Sequence, residues 1–362
     1  MTSGVPESLC IGDFVEPARE RLPADVWDFI EGGSGDELTL EANRVALGSV
    51  HVVPRVFKDV STVSTVTAWF GGDVSMPVAV APMAYQRLIH PDGELAAARA
   101  TRAAGVPFTA CTLSSVPLED IAECGAVTWF QLYWLRDRGL CAELVSRADS
   151  AGCRALVLTV DVPRMGRRLR DARNGFVLPP HVVAANFADR PHTGHKRRPG
   201  ASAIRAQTDL MLDASITWSD LAWLRERTDL PLILKGILDP RDAVTAVGLG
   251  VDAIAVSNHG GRQLDGAIPS IVALKAVKEA VGDGCAVFFD SGIRGGMDVV
   301  KALAAGSDGI LLGRPVLWGL AVAGEHGVRE VLRMLRDELV DALALAGCAD
   351  LADASRLRLH GL

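Results

Sequence analysis

Residues 251–266 read VDAIAVSNHGGRQLDG, an apolar run from Val251 to Val256 that ends in a polar, glycine-rich turn. An amphipathic stretch of helical period begins after Pro269. A short apolar run bounded by turn residues is the pattern of a strand buried on both faces. Strand, turn and helix together make one βα unit. His259 and Arg262 stand at the C-terminal end of the strand, beside glycines that let backbone and ligand approach closely. A base and an anion clamp share one turn there.

Working outward, the same unit recurs along the chain. Apolar strands are predicted at 77–81, 106–110, 127–132, 154–160, 231–235, 252–257, 285–290 and 309–313, each followed by a helical pattern. Eight fully apolar strands alternating with helices imply parallel pairing and close most naturally into a (β/α)8 TIM barrel. An open doubly wound sheet is the other solution, but no G-x-G-x-x-G follows the first strand. Residues 1–75 predict an N-terminal extension with helices at 22–31 and 36–46 and short strands at 51–56 and 66–70. Regularity is lost at 163–218, which predicts a long, lid-like loop insertion after strand 4. Its basic cluster, His195 to Arg198, reads as a solvated loop. The chain is thus expected to be one domain, 1–362, with the barrel at 76–322 and C-terminal helices at 323–362.

Composition narrows the function. The 362 residues suit one α/β barrel with insertions, and 49% apolar with 22% charged residues argues against disorder. A net charge of −7 sets aside nucleic acid and anionic membranes as partners. Seven cysteines without a C-x-x-C pair fit reduced thiols, not a disulfide scaffold or a metal site. Residues 1–13 lack the features of a secretion signal, and no apolar run reaches the ~18 residues of a membrane span. A cytoplasmic protein is expected.

In a barrel the active face lies at the strand C-termini. Strand 1 delivers Ala81, Pro82, Met83, Ala84 and Tyr85; strand 2, Cys111 and Thr112; strand 3, Gln131 and Tyr133. Strand 4 delivers Thr159 and Asp161, then Arg168; strand 5, Lys235; strand 6, Ser257, His259 and Arg262. Strand 7 delivers Asp290, Gly292 and Arg294; strand 8, Gly313 and Arg314. Lys235 closes LPLILK and Asp161 follows ALVLTV, so each is a buried charge that needs a partner. The simplest pairings are Asp161 with His259 and Lys235 with an anionic cofactor; a structural Lys235–Asp161 pair is the alternative. Glycine turns and arginines after strands 7 and 8 form a candidate phosphate cradle, with two ordinary βα turns as the alternative. The set implies a phosphate-bearing cofactor, a base in His259, and Arg168 with Arg262 for a substrate anion. There is no metal motif and no nucleophile elbow, and the other histidines lack metal spacing.

SNHGGRQLD at 257–265 resembles the signature of the FMN-dependent 2-hydroxy acid oxidases and dehydrogenases, the family of glycolate oxidase, lactate oxidase and mandelate dehydrogenase. LPADVWDFIEGG, APMA, WFQLY, LTVDVP, GRR, LILKG, DSGIRGG and GRPV follow in family order over nearly the whole chain. The resemblance implies FMN as cofactor and a 2-hydroxy acid with O2 as the small-molecule partners. His259 would be the base, Asp161 its orienting group, Arg168 and Arg262 the carboxylate clamp, and Tyr133 a substrate hydrogen bond. Lys235 would stabilise negative charge on the reduced flavin. Ala81, Pro82, Met83, Ala84, Gln131, Thr159 and Ser257 would seat the ring, with a further contact falling on Cys111 or Thr112. Asp290, Gly292, Arg294, Gly313 and Arg314 would hold the ribityl chain and phosphate. A homo-oligomer, tetrameric as in many members, is also implied.

Departures from the family pattern bear on the substrate. Phe29 stands where small-acid oxidases carry a Tyr, and Leu113 stands near the place of a bulky Trp. Both changes predict a roomier, more apolar mouth suited to an aryl group. APMAYQRL, FQLYWLRD and MGRRLRDARNGF resemble the 4-hydroxymandelate oxidases within the family. Ala84 matches the oxidases, where some dehydrogenases have Gly. The expected reaction is oxidation of (S)-mandelate or 4-hydroxymandelate to the 2-oxo acid, with O2 reduced to H2O2. A dehydrogenase using another acceptor, a short-chain 2-hydroxy acid oxidase, a redox-neutral flavin isomerase and a non-catalytic binder are the alternatives.

Overall fold

Eight short strands close into a parallel barrel in the order β7-β8-β1-β2-β3-β4-β5-β6. They are β1 (Val78–Val80), β2 (Phe108–Cys111), β3 (Thr128–Tyr133), β4 (Leu156–Thr159), β5 (Leu232–Ile237), β6 (Ala253–Val256), β7 (Ala286–Asp290) and β8 (Gly309–Leu312). The computed structural model describes residues 8–70, 72–187 and 203–362. The predicted TIM barrel is therefore observed, and the open sheet is excluded.

Alternate residues of a strand take opposite faces. Val80, Phe130, Leu158, Leu234 and Val256 join the core beneath the surrounding helices. Ala79, Trp129, Val157, Ile233, Ala255, Phe288 and Leu311 form a separate core inside the barrel. Two residues further along the inward set come Ala81, Gln131, Thr159, Lys235, Ser257, Asp290 and Gly313. The polar ring is thus the next layer of the same inward face, at the end where the strands finish. At the opposite end a small antiparallel pair, Thr67–Trp69 with Gly72–Val74, closes the barrel. Its Trp69 ring lies 5.0 Å from Phe288 and 6.1 Å from Trp129.

The N-terminal extension holds helices Ala24–Glu31 and Leu38–Ser49, close to the predicted spans. The second helix is tied to the turn after β6. Asp265 accepts hydrogen bonds from the backbone N–H of Asp36 (2.8 Å) and Thr39 (2.9 Å), and Asn43 donates to Asn258 at 2.9 Å. A Cβ on Gly261 would lie 2.5 Å from the Leu40 nitrogen, and φ there is +74°, so only glycine fits this contact. The expected strand near 51–56 is His51–Val53, and its partner Arg358–His360 had no clear signal in the sequence. The expectation of an irregular 163–218 segment is corrected: it contains helices Leu169–Asn174 and Ala203–Met211, both short. The His195–Arg198 cluster lies outside the described residues. The long helix Arg314–Ala346 is interrupted at Ala323 and Gly324, and a short helix, Leu351–Ser355, follows it. Among the described residues no helix is long and apolar enough to cross a membrane, and no group of three or more metal-ligating side chains is arranged around a common point.

Candidate active site

A cavity of about 1040 Å³, its mouth included, opens at the C-terminal ends of the strands. The Arg168, Lys235, His259, Arg262, Asp290, Arg294 and Arg314 side chains line it together, with Tyr133, Gly292 and Gly313. Ala81, Pro82, Met83 and Ala84 form one wall, and Phe29 of the N-terminal extension faces them.

His259 sits at φ 60°, an uncommon conformation for a residue with a Cβ, directly after β6. Strain of this kind gathers at functional sites. The turn is held by Ser257, whose hydroxyl accepts the His259 backbone N–H at 2.9 Å. The ring nitrogen Nδ1 lies 3.0 Å from Asp161 Oδ1, and the imidazole side chain is 18% exposed. Burial lowers the His259 pKa, and Lys235 pushes in the same direction, while Asp161 opposes both. The imidazole is therefore neutral at neutral pH, with Asp161 beside Nδ1 and Nε2 as the nitrogen able to accept a proton.

The two arginines differ in how they are held. Arg262 donates to the carbonyls of Phe29 (2.8 Å), Ile30 (3.0 Å) and Gly32 (2.8 Å), at the C-terminal end of helix Ala24–Glu31. A cation is favourable at a helix C-terminus. Among the described residues Arg168 makes no side-chain hydrogen bond, and its Nε is buried without an acceptor. Both guanidiniums lie against the Phe29 ring, at 5.7 Å for Arg168 and 5.5 Å for Arg262. Phe29 in turn stacks on Phe176 at 4.9 Å.

Lys235 is buried and pairs with Asp290 at 2.8 Å, and Ser257 bridges them by accepting from Lys235 (3.0 Å) and donating to Asp290 (2.5 Å). Burial works against the charge on Lys235, but Asp290 and Asp161 outweigh it and raise its pKa. The partner of Lys235 within the chain is thus Asp290, which also lines the cavity. Lys235 precedes Asp290 by a long stretch of chain, so nothing local in the sequence signals the pair.

Other expected residues fall into place unevenly. Gln131 and Thr159 are buried and do not themselves line the cavity: Gln131 donates to Thr159 at 3.0 Å and accepts at 3.1 Å from the thiol of Cys111, which does line it. Thr112 is corrected. Its hydroxyl donates to the Gln131 carbonyl at 2.6 Å, outside the cavity lining, and Cys111 takes the inward position instead. Alternation explains this, since residues 109 and 111 share one parity. Leu113 is buried but does not line the cavity. The start of helix Gly296–Ala304 is not an open anion site, because Glu338 accepts the Gly296 N–H at 2.9 Å and Asp298 accepts the Arg294 N–H at 2.8 Å. Arg314 directs its N–H groups at the carbonyls of Ile30, Glu31, Gly32 and Gly260.

Tyr85, expected at the end of strand 1, lines the cavity, while the apolar lining residues Ile30, Leu88, Ile89 and Leu317 had no polar signature to single them out. The loop carrying Tyr85, Leu88 and Ile89 is fixed by the buried Glu94 carboxylate. It accepts the Gln86 N–H (3.1 Å), the Ser115 N–H (2.8 Å) and the Ser115 hydroxyl (2.6 Å). The chain has two tyrosines, Tyr85 and Tyr133, and both face this one cavity.

Comparison with known proteins agrees with this geometry. The family model for FMN-dependent dehydrogenases matches residues 18–360. The chain is 54% identical to a 4-hydroxymandelate oxidase of Amycolatopsis orientalis, over 96% of this chain and 97% of that protein. It is 45% identical to an L-lactate oxidase of Nostoc sp., over 99% and 100% of the two chains. A solved mandelate oxidase with (S)-4-hydroxymandelic acid superposes with a TM-score of 0.95 at 52% identity, covering 98% of this chain and 99% of the other.

Proposed function

The chain belongs to the FMN-dependent dehydrogenase family, and from that premise we propose that it oxidises (S)-2-hydroxy acids bearing an aryl group, mandelate and 4-hydroxymandelate foremost, with O2 as the electron acceptor. The observation that carries the substrate class is the make-up of one cavity. His259, Arg168 and Arg262 line it together with the apolar side chains of Phe29, Met83, Leu88 and Ile89. The oxidase names of the relatives support oxygen as acceptor.

The residues present fit FMN. Burial, then Arg314, lowers the pKa of Arg294, the mark of cations gathered without enough anions, which a phosphate would supply. A Cβ on Gly313 would come no closer than 3.9 Å to Met83, so the space above that glycine is open to a ligand rather than filled by the chain. The Gly292 and Gly313 backbone, with Arg294 and Arg314, would hold the phosphate and ribityl chain. Ala81 to Ala84, with Gln131, Thr159 and Ser257 behind them, would seat the ring. Bound FMN would supply the two-electron redox chemistry that links oxidation of the substrate to reduction of O2 to H2O2.

The protein groups do the rest. Arg168 and Arg262 hold the substrate carboxylate and so fix the α-carbon relative to His259. Tyr133 orients the substrate oxygen. Oxidation of the CH–OH group releases a proton, and His259 Nε2 accepts it while Asp161 stabilises the imidazolium that forms. Lys235, kept charged by Asp290, supplies positive charge where reduction deposits negative charge, which favours the reduced state more than the oxidised one. The aryl ring packs on the apolar side chains of the cavity. We extend the proposal to a homo-oligomer, a tetramer, which light scattering of the purified protein checks. Mixing the FMN-loaded protein with (S)-mandelate in air should yield benzoylformate and H2O2 in equal amounts; 2-oxo acid without peroxide would move the acceptor from oxygen to another oxidant.

A further inference from the structure

Asp171 lies in the first turn of helix Leu169–Asn174, three residues after Arg168, which caps that helix. Asp171 is 0% exposed, yet neither of its carboxylate oxygens has a hydrogen-bond partner among the described residues. The Arg168 Nε on the same turn is likewise buried without an acceptor. A buried carboxylate with no donor is costly, and so is a buried guanidinium N–H with no acceptor. The two orphans are opposite in sign and belong to residues one helical turn apart. Asp171 does not line the cavity, whereas Arg168 and Arg262, the two cations whose charge acts on it, do. The other nearby carboxylate, Asp28, is already engaged by Arg170 (3.3 Å) and by the Asn174 amide (2.7 Å).

Electrostatics agrees with the placement. Arg168 and Arg262 both have lowered pKa values through burial, and Asp171 opposes the shift in each. Arg168 and Arg314 push Arg262 further down, because like charges crowd one site. Burial raises the Asp171 pKa, and Arg168 followed by Arg262 act to lower it. The groups bearing on Asp171 are thus Arg168 on its own turn, Arg262 after β6 and Asp28 on helix Ala24–Glu31.

We propose that Asp171 is the resident counter-anion of the Arg168–Arg262 pair, a positioning residue that keeps the two guanidiniums together in the empty site and offsets part of their attraction for a substrate carboxylate. It rests on the assignment of those arginines as the carboxylate clamp. The device makes chemical sense: two buried arginines with no internal anion would repel each other when empty and hold a 2-oxo acid product too firmly.

The test uses the FMN-loaded full chain and two ligands that cannot turn over, phenylacetate and its neutral isostere phenylacetamide, titrated by flavin absorbance. A preference of the unaltered protein for the carboxylate is required by the clamp; its absence overturns the clamp itself. Asp171→Asn keeps the shape and removes the charge. It should strengthen the preference for phenylacetate over phenylacetamide by about threefold or more, the scale of one charge a few ångströms away in a partly screened site, and Asp171→Glu should restore the original ratio. An Asn variant that keeps the original ratio, or loses carboxylate preference, overturns the proposal while leaving the clamp standing. If the Asn variant does not fold, it is produced with either ligand present. Rescue by phenylacetate alone supports the proposal, and rescue by both or by neither overturns it.

Discussion

His259 Nδ1 lies 3.0 Å from Asp161 Oδ1, although the two residues come from the ends of β6 and β4, which are not adjacent in the barrel. The strand between them, β5, carries Lys235, whose charge opposes protonation of the same imidazole. The base is therefore tuned from both sides, upward by a carboxylate and downward by burial and an ammonium.

The acid limb of kcat/KM should report this tuning. Since His259 is shifted below its ordinary ~6.5, activity should persist to slightly acidic pH and fall as the pH drops through the lowered value. Asp161→Asn removes the upward influence, so its acid limb moves to still lower pH while the plateau rate falls. His259→Ala should keep the yellow colour and lose about 10²–10⁴-fold in kcat. A pH profile in Asp161→Asn identical to that of the unaltered protein contradicts the coupling.

Arg262 and Arg168 should separate in stability. Arg262 holds three backbone carbonyls of the N-terminal extension, and Arg168 holds none. Either change to Ala should weaken substrate carboxylate binding by about 2–5 kcal/mol. Arg262→Ala should in addition destabilise the fold by about 1–3 kcal/mol, the scale of a few hydrogen bonds to a charged group. Paired KM and urea-unfolding measurements check this; full substrate affinity in either variant removes it from the clamp.

The Lys235–Asp290 pair should behave as a buried unit. Removing one partner leaves an uncompensated buried charge, so Lys235→Met or Asp290→Asn should each cost about 3–5 kcal/mol. The lysine pKa is raised, so its contribution is present below the unfolded value and lost as pH rises through the folded one. The aspartate pKa is lowered, so its contribution is present above the unfolded value and lost as pH falls through the folded one. Stability measured from pH 3 upward should therefore rise on leaving acid in the unaltered protein, and this part of the rise should vanish in Asp290→Asn.

Phe29 is the expected switch between aryl and short-chain acids. Its ring lies beside both guanidiniums, so Phe29→Tyr brings a hydroxyl into the same polar neighbourhood. The ratio of kcat/KM for mandelate over glycolate should fall by about tenfold, the scale of one hydrogen bond. An unchanged ratio assigns the discrimination to Leu88 and Ile89 instead.

Much of this was legible in the sequence, for identifiable reasons. The barrel strands are apolar throughout because both faces are buried, and Asp161, Lys235 and His259 stand out as polar residues at the ends of such runs. Thr112 misled because adjacent polar residues look alike until strand parity is applied, which favours Cys111. The Lys235–Asp290 pair was hidden because it joins distant strands. The carbonyls that hold Arg262 and Arg314 carry no side-chain signature, so no residue type could announce them. Leu88 and Ile89 read as ordinary core residues until the loop held by Glu94 places them in the cavity. Helices Leu169–Asn174 and Ala203–Met211 are too short for their period to rise above the surrounding turn residues.

Anaerobic reduction of the bound flavin tests the central assignment most directly. The FMN-loaded protein is mixed without oxygen with (S)-mandelate, (S)-4-hydroxymandelate, L-lactate or glycolate, and the visible absorbance is followed in time. The two aryl acids should bleach the flavin faster, per unit concentration, than the two short acids, and air should restore the colour with release of H2O2. Bleaching by glycolate or L-lactate but not by either mandelate would contradict the aryl assignment.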